Sequence, residues 1–461
     1  MINLLPDQNE LYTEARQKIA NSCKALLIQS ATGSGKTVIA AKIVHGAYYK
    51  QTPTEFIVPR IQLVDQTAET LRDFDINYSY IASGYPFNQY ATVKVVSKDT
   101  LLSRLGLYAP PKLAIIDEAH YGGDGLDRII QDYKKAGTVI IGLSATPWQL
   151  SGRGMDHQYD DMVEGKSIKW LIENKRLSAY RAFAPDHIDL SGIKTQAGDY
   201  AKGQLDGRMK QDRVLVGNAV KHYKSHALGK LAIAYCVSVE HSQIVAQMFN
   251  ESGIVAAHID GNTPKEERRR IIRAFAKREI LVLCNCDLLT FGFDLKSASG
   301  IDVTIEAMID LRPTKSLALQ MQKNGRVLRY KDYPALIFDH ANNIEEHGMP
   351  CADRVWTLEG MERKKSDSEK TIPVRQCPKC FHCHYPLPQC PNCKHVYEIQ
   401  SREIDEVDGE LKEIKEAVAK KEARMEIGKA KTISDLRKIQ QERGYAAGWV
   451  YQMAKVKGIV Y

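Results

Sequence analysis

The segment SATGSGKT, residues 30–37, constrains the fold of this chain more than any other feature. It follows the apolar stretch LLIQ, which is typical of a buried strand, and it precedes TVIAAKIVHGAYY, which fits a helix. Glycines let the backbone between them wrap closely around an anion, and the N-terminus of the helix attracts the same negative charge. Because this turn needs a strand before it and a helix after it, the segment predicts an α/β fold with a phosphate-binding loop. The alternative is a glycine-rich turn without a ligand.

The side chains of this loop indicate which groups of a nucleotide it would hold. Lys36 can reach the β- and γ-phosphates of a nucleoside triphosphate such as ATP, and the Thr37 hydroxyl can ligate Mg²⁺. The general pattern begins with glycine, whereas this chain has Ser30 there. The residues expected to contact the nucleotide are Thr32, Gly33, Ser34, Gly35, Lys36 and Thr37.

An acidic segment, LAIIDEAH (113–120), supplies the carboxylates that such a site requires. Asp117 would hold Mg²⁺ directly or through water, and Glu118 would orient and deprotonate the attacking water. His120 is then a coupling residue and not a metal ligand. The four residues DEAH (117–120) alone could mark a strand end with surface acids, but here they follow both an apolar strand and a phosphate loop.

Short apolar runs alternate with helix-compatible stretches in two parts of the chain. This alternation predicts an α/β architecture of two doubly wound parallel sheets with flanking helices, and a cleft between the two domains. The predicted strands are KALLIQS, EFIVP, TVKVVS, KLAIIDE and TVIIGLS in the first part, and KLAIAYC, IVAAHID, ILVLCN, VTIEAMID and ALIFD in the second.

Changes in composition give the predicted domain boundaries. Residues 161–225 are polar and glycine-rich, ERKKSDSEK (362–370) is a charged linker, and EIKEAVAKKEARMEIGKA (413–430) suits a solvated helix. The end of the chain fits a small helix pair that is interrupted at Gly444 and Gly448. The predicted organisation is a first domain at 1–160, a linker at 161–225, a second domain at 226–350, a linker at 351–375, a cysteine-rich module at 376–398 and a helical extension at 399–461.

Five of the ten cysteines lie between Cys377 and Cys393. The pairs Cys377/Cys380 and Cys390/Cys393 each enclose two residues, a spacing that predicts a structural Zn²⁺ held by four thiolates. Unliganded thiols and an iron–sulfur cluster are the alternatives. Such a module would bind DNA or a partner protein, or would only stabilise the C-terminal region. The spare ligands nearby are His382, Cys383, His384 and His395.

Charge and hydropathy limit the environment of the chain. The net charge of +8 permits a polyanionic partner without establishing one. The N-terminal residues place acids among apolar side chains, unlike a secretory signal, and no apolar run approaches the length of a membrane span. Crowded cysteines suit a reducing compartment. We therefore expect a soluble cytoplasmic protein with no membrane partner.

From residue 8 to about residue 348 the chain resembles superfamily 2 helicases. LLPDQ (4–8) is similar to the N-terminal glutamine motif of these enzymes, in which Gln8 would read adenine. The remaining motifs follow in the family's order: FIVPRIQLVDQ (motif Ia), VVSKDTL, SATP (III), AYCVSVEHS (IV), HIDGNT, LLTFGFD (V) and QKNGRVLR (VI). The resemblance implies two tandem RecA-like domains, followed by the small zinc-bearing, helical extension.

The resemblance also implies roles for individual residues. Gln322, Arg326 and Arg329 of motif VI would reach across the cleft to the γ-phosphate, where arginine stabilises the charge of the transition state. Other residues carried over from the family are the nucleotide contacts Gly292 and Asp294, the coupling residues Ser144 and Thr146, and the nucleic-acid backbone contacts Pro59, Arg60, Ser97 and Thr290.

Within the superfamily the chain is most similar to the bacterial RadD-like group and its phage relatives, through LRPTKSLALQMQKNGRVLR (311–329) and IFDHANNIEEHG (337–348). Lys323, Asn324, Phe291 and Gln149 depart from that group's pattern. The implied function is an ATP-dependent DNA helicase or translocase in repair, recombination or replication. It would act on single-stranded, forked or branched DNA, with a single-strand-binding or replication protein as a partner. An RNA-dependent ATPase and a non-hydrolysing nucleic-acid-binding scaffold remain alternatives.

The basic run KEERRRIIRAFAKR (265–278) has two interpretations. It could be a nucleic-acid-binding patch. At helical spacing, however, Ile271, Ile272 and Phe275 share one side, so we expect them to pack inward while the arginines form a solvated face.

Overall fold

The computed structural model describes residues 3–184, 190–196, 198–211, 213–290, 295, 300–360, 374–397, 430, 432–443, 449–457 and 459. The chain divides into two compact units, residues 1–396 and 397–461. The larger unit contains one parallel and one mainly parallel sheet, each with its own helices, which we call the first and second domains.

The first domain is built on seven strands in the order β3-β4-β2-β5-β6-β1-β7. All of their pairings are parallel. The strands are β1 (Ala25–Gln29), β2 (Thr54–Val58), β3 (Ser79–Ile81), β4 (Val93–Ser97), β5 (Leu113–Ile116), β6 (Val139–Ser144) and β7 (Asp161–Glu164). The helices are α1 (Pro6–Ala20), α2 (Lys36–Tyr49), α3 (Val64–Asp73), α4 (Lys98–Ser103) and α5 (Gly123–Lys135). The five strands predicted here are confirmed.

The second domain is built on eight strands in the order β12-β13-β11-β14-β15-β8-β17-β16. The six strands from β12 to β8 pair in parallel, β17 pairs antiparallel with β8, and β16 pairs antiparallel with β17. The strands are β8 (Tyr180–Phe183), β11 (Ala232–Tyr235), β12 (Ala256–Ile259), β13 (Val282–Asn285), β14 (Ala307–Asp310), β15 (Ala335–Asp339), β16 (Arg375–Gln376) and β17 (His382–His384). The helices are α9 (Val239–Glu251), α10 (Lys265–Ala276), α11 (Leu317–Val327) and α12 (Asn343–His347).

The segment predicted as a linker, residues 161–225, differs from that expectation. Its first strand, β7, pairs with β1 of the first domain, and β8 pairs with β15 of the second. The rest of the segment contains α6 (Ile168–Glu173), a hairpin of β9 (Thr195–Gln196) and β10 (Asp199–Tyr200), α7 (Lys202–Gln211) and α8 (Arg213–His226). The sequence interpretation missed the two strands because each has only four residues and carries polar side chains, so neither produces a long apolar run.

The segment after the second domain, predicted as a linker over 351–375, contacts the first domain. Trp148 donates its indole N–H to the carbonyl of Thr357 at 2.8 Å. The backbone N–H of Met155 donates to the carbonyl of Leu358 at 2.7 Å. Residues 355–360 therefore connect the end of the second domain to the loop that follows β6 in the first.

The basic run 265–278 folds as predicted. In α10 the side chains of Ile272 and Phe275 are fully buried, and Ile271 packs partly against the same core. The arginines Arg269 and Arg270 lie on the outer side, where they pair with Glu266 and Glu267. This face is therefore solvated, and these two arginines are paired within the helix.

The smaller unit contains α13 (Ile433–Arg443) and α14 (Trp449–Lys457), which pack through Leu436, Val450 and Ala454. The helix predicted over 413–430, apart from Ala430, and the linker 362–370 lie outside the described residues. In the described part of the chain, no helix has the length and apolar character needed to cross a bilayer.

Candidate active site

The phosphate loop lies between β1 and α2, as the sequence predicts. Gly33 and Gly35 have φ angles of +86° and +91°, a region that glycine adopts without strain. The Lys36 ammonium donates to the carbonyl oxygens of Ser30 at 2.9 Å and Ala31 at 3.3 Å. The lysine therefore lies against the loop's own backbone, where the oxygens of a bound phosphate would take the place of these carbonyls.

Two polar side chains support the loop. The hydroxyl of Ser30, which replaces the expected glycine, lies 2.7 Å from the hydroxyl of Ser34 and so closes the turn. The Gln8 amide donates to the Ser34 carbonyl at 2.9 Å and accepts from the backbone N–H of Leu5 at 3.1 Å. The oxygen and the nitrogen of the Gln8 amide are therefore both bonded to backbone groups. Gln8 thus supports the loop, a role that the predicted contact with adenine does not include.

The charges of the site are concentrated in a cluster of the buried Lys36 and the half-buried Asp117 and Glu118. Burial lowers the pKa of Lys36, and the carboxylates of Glu118 and Asp117 oppose that shift. Burial also raises the pKa of Asp117, and the adjacent Glu118 raises it further, while Lys36 lowers it. Two carboxylates against one ammonium leave the cluster suited to a divalent cation. Asp117 and Thr37, the residues predicted to hold such a cation, line the same cavity.

Two buried oxygens in this region have no hydrogen-bond partner among the described residues. They are Oγ1 of Thr32 and Oε2 of Glu118. Both residues line a cavity of about 460 Å³, together with Gly33, Lys36 and Thr37. Glu118 also has a φ of +46°, a strained value for a residue with a side chain that is characteristic of functional positions. The Glu118 oxygen, whose neighbour is Nδ1 of His120 at 3.5 Å, and a loop rich in N–H donors fit a nucleotide with its cation.

The second domain completes the same cavity. Gln322, Arg326 and Arg329 line it from α11 and the residues just after that helix. The two domains meet closely here, because a Cβ atom built on Gly325 would overlap the Cβ and Cγ2 atoms of Thr32. The three predicted motif VI side chains and the phosphate loop are therefore brought together around one space.

We predict that Gly325→Ala lowers ATP turnover by roughly ten- to a hundredfold, because the added methyl group holds α11 away from the phosphate loop. Steady-state ATPase assays measure the effect. Gly46→Ala is the matched control, since Gly46 lies in α2 and a methyl group added there would meet no atom within 4 Å. Equal rates for wild-type and Gly325→Ala chains would show that this close approach is not needed for turnover.

A chain of hydrogen bonds connects the two domains beside the cavity. His120 has Nε2 3.0 Å from the amide nitrogen of Gln322 and Nδ1 2.8 Å from the hydroxyl of Ser144. Since the amide nitrogen only donates, Nε2 accepts and Nδ1 carries the proton. Ser144 in turn donates to the carbonyl of Thr146. Burial lowers the pKa of His120 to about 4, so the ring is neutral.

Tyr121 belongs to this group, although sequence analysis did not single it out. Its hydroxyl donates to Oε1 of Gln322, and its ring centroid lies 4.3 Å from that of His120. The one signal in the sequence is that Tyr121 directly follows the acidic segment LAIIDEAH. The partner is 201 residues away, however, and no local pattern indicates such a contact.

Lys323, one of the departures from the family pattern, lies in the core and not in the cavity. Its ammonium donates to both carboxylate oxygens of Asp310 at 2.8 Å and 2.7 Å, and both side chains are fully buried. Asn343 donates to the same carboxylate at 2.9 Å. The substitution therefore forms an internal ion pair that ties α11 to the end of β14.

The predicted nucleic-acid contacts follow the carboxyl ends of parallel strands. Pro59 and the exposed Arg60 follow β2, and Ser97 ends β4, the neighbour of β2. Thr290 ends a single 3-10 turn, Leu288–Thr290, in the second domain. Ser97 is buried, with an exposed fraction of 2%. Two predicted nucleotide contacts lie outside the described residues: Gly292 and Asp294.

The four predicted metal ligands converge. The sulfur atoms of Cys377 and Cys393 are 3.6 Å apart, those of Cys380 and Cys390 are 3.7 Å apart, and all four lie within 4.8 Å of one another. Sulfur atoms at the corners of a tetrahedron, each about 2.3 Å from one zinc ion, would be about 3.8 Å apart. The thiols therefore fit a tetrahedral metal site.

Known families match both domains. Residues 1–149 match the family described as "Type III restriction enzyme, res subunit", and residues 215–331 match "Helicase conserved C-terminal domain". A 51.5 kDa protein of a Lactococcus phage is 37% identical over 77% of this chain and 74% of that protein. The Saccharomyces cerevisiae protein IRC3, whose name places it among ATP-dependent helicases, is 30% identical over 68% of this chain and 47% of its own length. This chain belongs to the superfamily 2 helicases.

The structure of this helicase also resembles a solved one. The Type ISP restriction-modification enzyme LlaBIII, described as ATP-dependent and bound to DNA, matches with a TM-score of 0.52 and 16% identity, over 73% of this chain and 27% of that enzyme. At that identity the likeness concerns the fold alone. The sequence prediction of an ATP-dependent nucleic-acid helicase with two RecA-like domains is thus confirmed at the level of the superfamily.

Proposed function

We propose that this helicase is an ATP-dependent DNA translocase or helicase that acts on single-stranded, forked or branched DNA in repair, recombination or replication. The observation that carries the proposal is the single cavity lined by Lys36, Asp117 and Glu118 from the first domain and by Arg326 and Arg329 from the second. A nucleotide bound there would contact both domains, so its binding and hydrolysis would close and reopen the cleft. Movement along DNA requires such a cycle.

Each side chain has a proposed role in hydrolysis. Lys36 would bind the β- and γ-phosphates, and Thr37 and Asp117 would hold Mg²⁺, which would supply positive charge to neutralise the phosphates. Glu118 accepts a proton from the attacking water. Arg326 and Arg329 stabilise the negative charge that develops on the phosphoryl oxygens. All of these residues line the cavity.

The choice of DNA is tested by ATPase and strand-separation assays on single-stranded, forked and four-way DNA and on single-stranded RNA of the same sequence. We expect DNA to stimulate turnover more than RNA, and forked or four-way DNA to be separated. Stronger stimulation by RNA would replace the proposal with an RNA-dependent ATPase. Absence of turnover with every nucleic acid would favour a non-hydrolysing scaffold.

We also propose that the four clustered cysteines hold a structural zinc ion. The module is joined to the second domain, since β17 pairs with β8. Asn392 donates to the sulfur of Cys380 at 3.3 Å and accepts from Arg181 of β8. Four protein ligands leave no open position for substrate, so the ion would stabilise the edge of the second sheet and take no part in hydrolysis.

Replacing Cys380 with Ser should lower the zinc content from about one ion per chain to near zero and reduce the melting temperature of the full chain. Elemental analysis and thermal denaturation measure the two effects. Cys23→Ser is the control, because Cys23 lies in the first domain away from the cluster. Zinc content that is unchanged in Cys380→Ser would contradict this ligand set, and iron with visible absorbance would indicate an iron–sulfur cluster.

A further inference from the structure

The contact between Tyr121 and Gln322 has a geometry that hydrolysis can use. The amide of Gln322, from the second domain, lies between two consecutive side chains of the first. Its oxygen accepts from the Tyr121 hydroxyl, and its nitrogen donates to His120 at 3.0 Å. Gln322 has an exposed fraction of 2%, so water does not compete strongly for these bonds. The amide is thus held at both ends by the first domain.

An amide has one accepting end and one donating end, so its orientation determines what its neighbours can do. With the oxygen toward Tyr121, the nitrogen must face His120, and the His120 ring must then donate to Ser144. If the amide were reversed, its oxygen would require a proton on Nε2 of His120. Nδ1 would then accept from Ser144, and Ser144 could no longer donate to the carbonyl of Thr146. The Thr146 carbonyl, which can only accept, sets this direction, and the Tyr121 hydroxyl holds the far end of the Gln322 amide by donating to its oxygen.

Tyr121 also lies toward the predicted nucleic-acid edge of the first domain. It ends the 3-10 turn that follows β5, and Arg60 follows the adjacent strand β2. The ends of these strands are in contact, since the backbone N–H of Asp117 donates to the carbonyl of Ile57 at 2.9 Å. Burial raises the pKa of the Tyr121 phenol and the charge of Glu118 raises it further, while the positive charges of Arg60 and Arg312 oppose that rise. Tyr121 therefore stands between a residue proposed to bind a phosphate backbone and one that lines the nucleotide cavity.

We propose that Tyr121 is a positioning residue, which holds the Gln322 amide in the orientation that hydrolysis requires and transmits the binding of nucleic acid at Arg60 to the nucleotide cavity. A phosphate group bound at Arg60 is linked to the hydroxyl that holds Gln322 through the paired ends of β2 and β5. The second half of this inference rests on the proposed function, because it requires that nucleic acid bind this edge.

The variant Tyr121→Phe removes one hydroxyl and retains the ring. We expect the kcat of ATP hydrolysis, measured with saturating single-stranded DNA, to fall roughly five- to tenfold, as the loss of one buried hydrogen bond implies. The KM for ATP should change by less than about twofold, because no phosphate contact is lost. Tyr223→Phe is the matched control: Tyr223 is fully buried and donates to the Lys230 carbonyl at 2.6 Å, within the second domain.

A double-mutant comparison separates positioning from a merely structural role. If Tyr121 acts through Gln322, then Tyr121→Phe should change kcat by less than about twofold when it is introduced into Gln322→Ala. Binding of a fluorescent ATP analogue by all four chains verifies that each one is folded. A further five- to tenfold loss in the Gln322→Ala background would overturn the proposal, and so would a kcat for Tyr121→Phe equal to that of the wild-type chain.

Failure of the inference differs from failure of the proposed function. If DNA stimulates the wild-type and Tyr121→Phe chains to the same maximal rate, the inference is wrong and the DNA-dependent function stands. If no nucleic acid stimulates the wild-type chain, the proposed function and the transmission from Arg60 both fail. In that case the double-mutant comparison of the unstimulated rate still decides whether Tyr121 positions Gln322.

Discussion

Replacing Glu118 with Gln should lower ATP turnover by about 10²- to 10⁴-fold while the chain still binds nucleotide. Gln has nearly the shape of Glu, so the strained backbone at this position and the nearby phosphate loop should be preserved. The amide cannot accept a proton from water, and the removal of one negative charge from beside Asp117 and Lys36 should not weaken phosphate binding. Turnover at saturating ATP, measured beside the binding of a fluorescent ATP analogue, separates the two effects.

Lys36→Ala is the companion variant, and its effect should fall on binding as well as on turnover. The Lys36 ammonium lies against the loop that would hold the phosphates, and removing it leaves the loop's backbone N–H groups and helix terminus, with Arg326 and Arg329 on the other side of the cavity. Glu267→Gln is the control, because Glu267 lies on the exposed face of α10, where its partner is Arg270 at 3.8 Å. Unchanged turnover in either Glu118→Gln or Lys36→Ala would mean that hydrolysis takes place elsewhere in the chain.

The largest effect on stability is expected at Lys323. Lys323→Met should lower the free energy of unfolding by about 3–5 kcal/mol, the range observed when one partner of a buried ion pair is removed. Methionine fills similar space but leaves the fully buried Asp310 carboxylate with Asn343 as its remaining side-chain partner. Because α11 also carries Gln322 and Arg326, turnover should fall together with stability. Chemical denaturation and ATPase assays measure the two quantities.

The second substitution Asp310→Asn, added to Lys323→Met, should recover more than half of the lost stability, since no unpaired charge then remains buried. Lys265→Met is the control for loss of a surface lysine. Its nearest carboxylate, on Asp65, is 3.9 Å away at an exposed position, so the expected change is below about 1 kcal/mol. A loss below about 1 kcal/mol in Lys323→Met would show that the pair contributes little to the fold.

Features that depend on a few adjacent residues could be predicted from the sequence. The phosphate loop needs two glycines with positive φ between a strand and a helix, and Gly33 and Gly35 adopt those values. The buried strands are continuous apolar runs, which is why the central strands of both sheets were identified. The CxxC spacing likewise restricts where two thiols of one turn can point, and the four sulfur atoms do converge.

Features that depend on distant residues could not be predicted in this way. The short strands β7 and β8 carry polar side chains, so only their pairing with β1 and β15 distinguishes them from a linker. Lys323 looked like a departure within motif VI, but its role depends on Asp310, which lies on another element. Gln8 was expected to face adenine, yet its amide also supports Ser34 through a bond that spans 26 residues.

The sequence by itself determined the chemistry available to this protein: a lysine and glycines for phosphate, two carboxylates for a cation and a water, arginines to stabilise developing charge, and four thiols for a metal. These follow from residue type and spacing within single turns. Only the tertiary structure decided which of those groups meet. Closing a cleft brings together side chains some 200 residues apart in the chain, as it does for Tyr121 and Gln322. Contact at such separation is governed by the packing of whole domains, because no local preference of the backbone acts over that length.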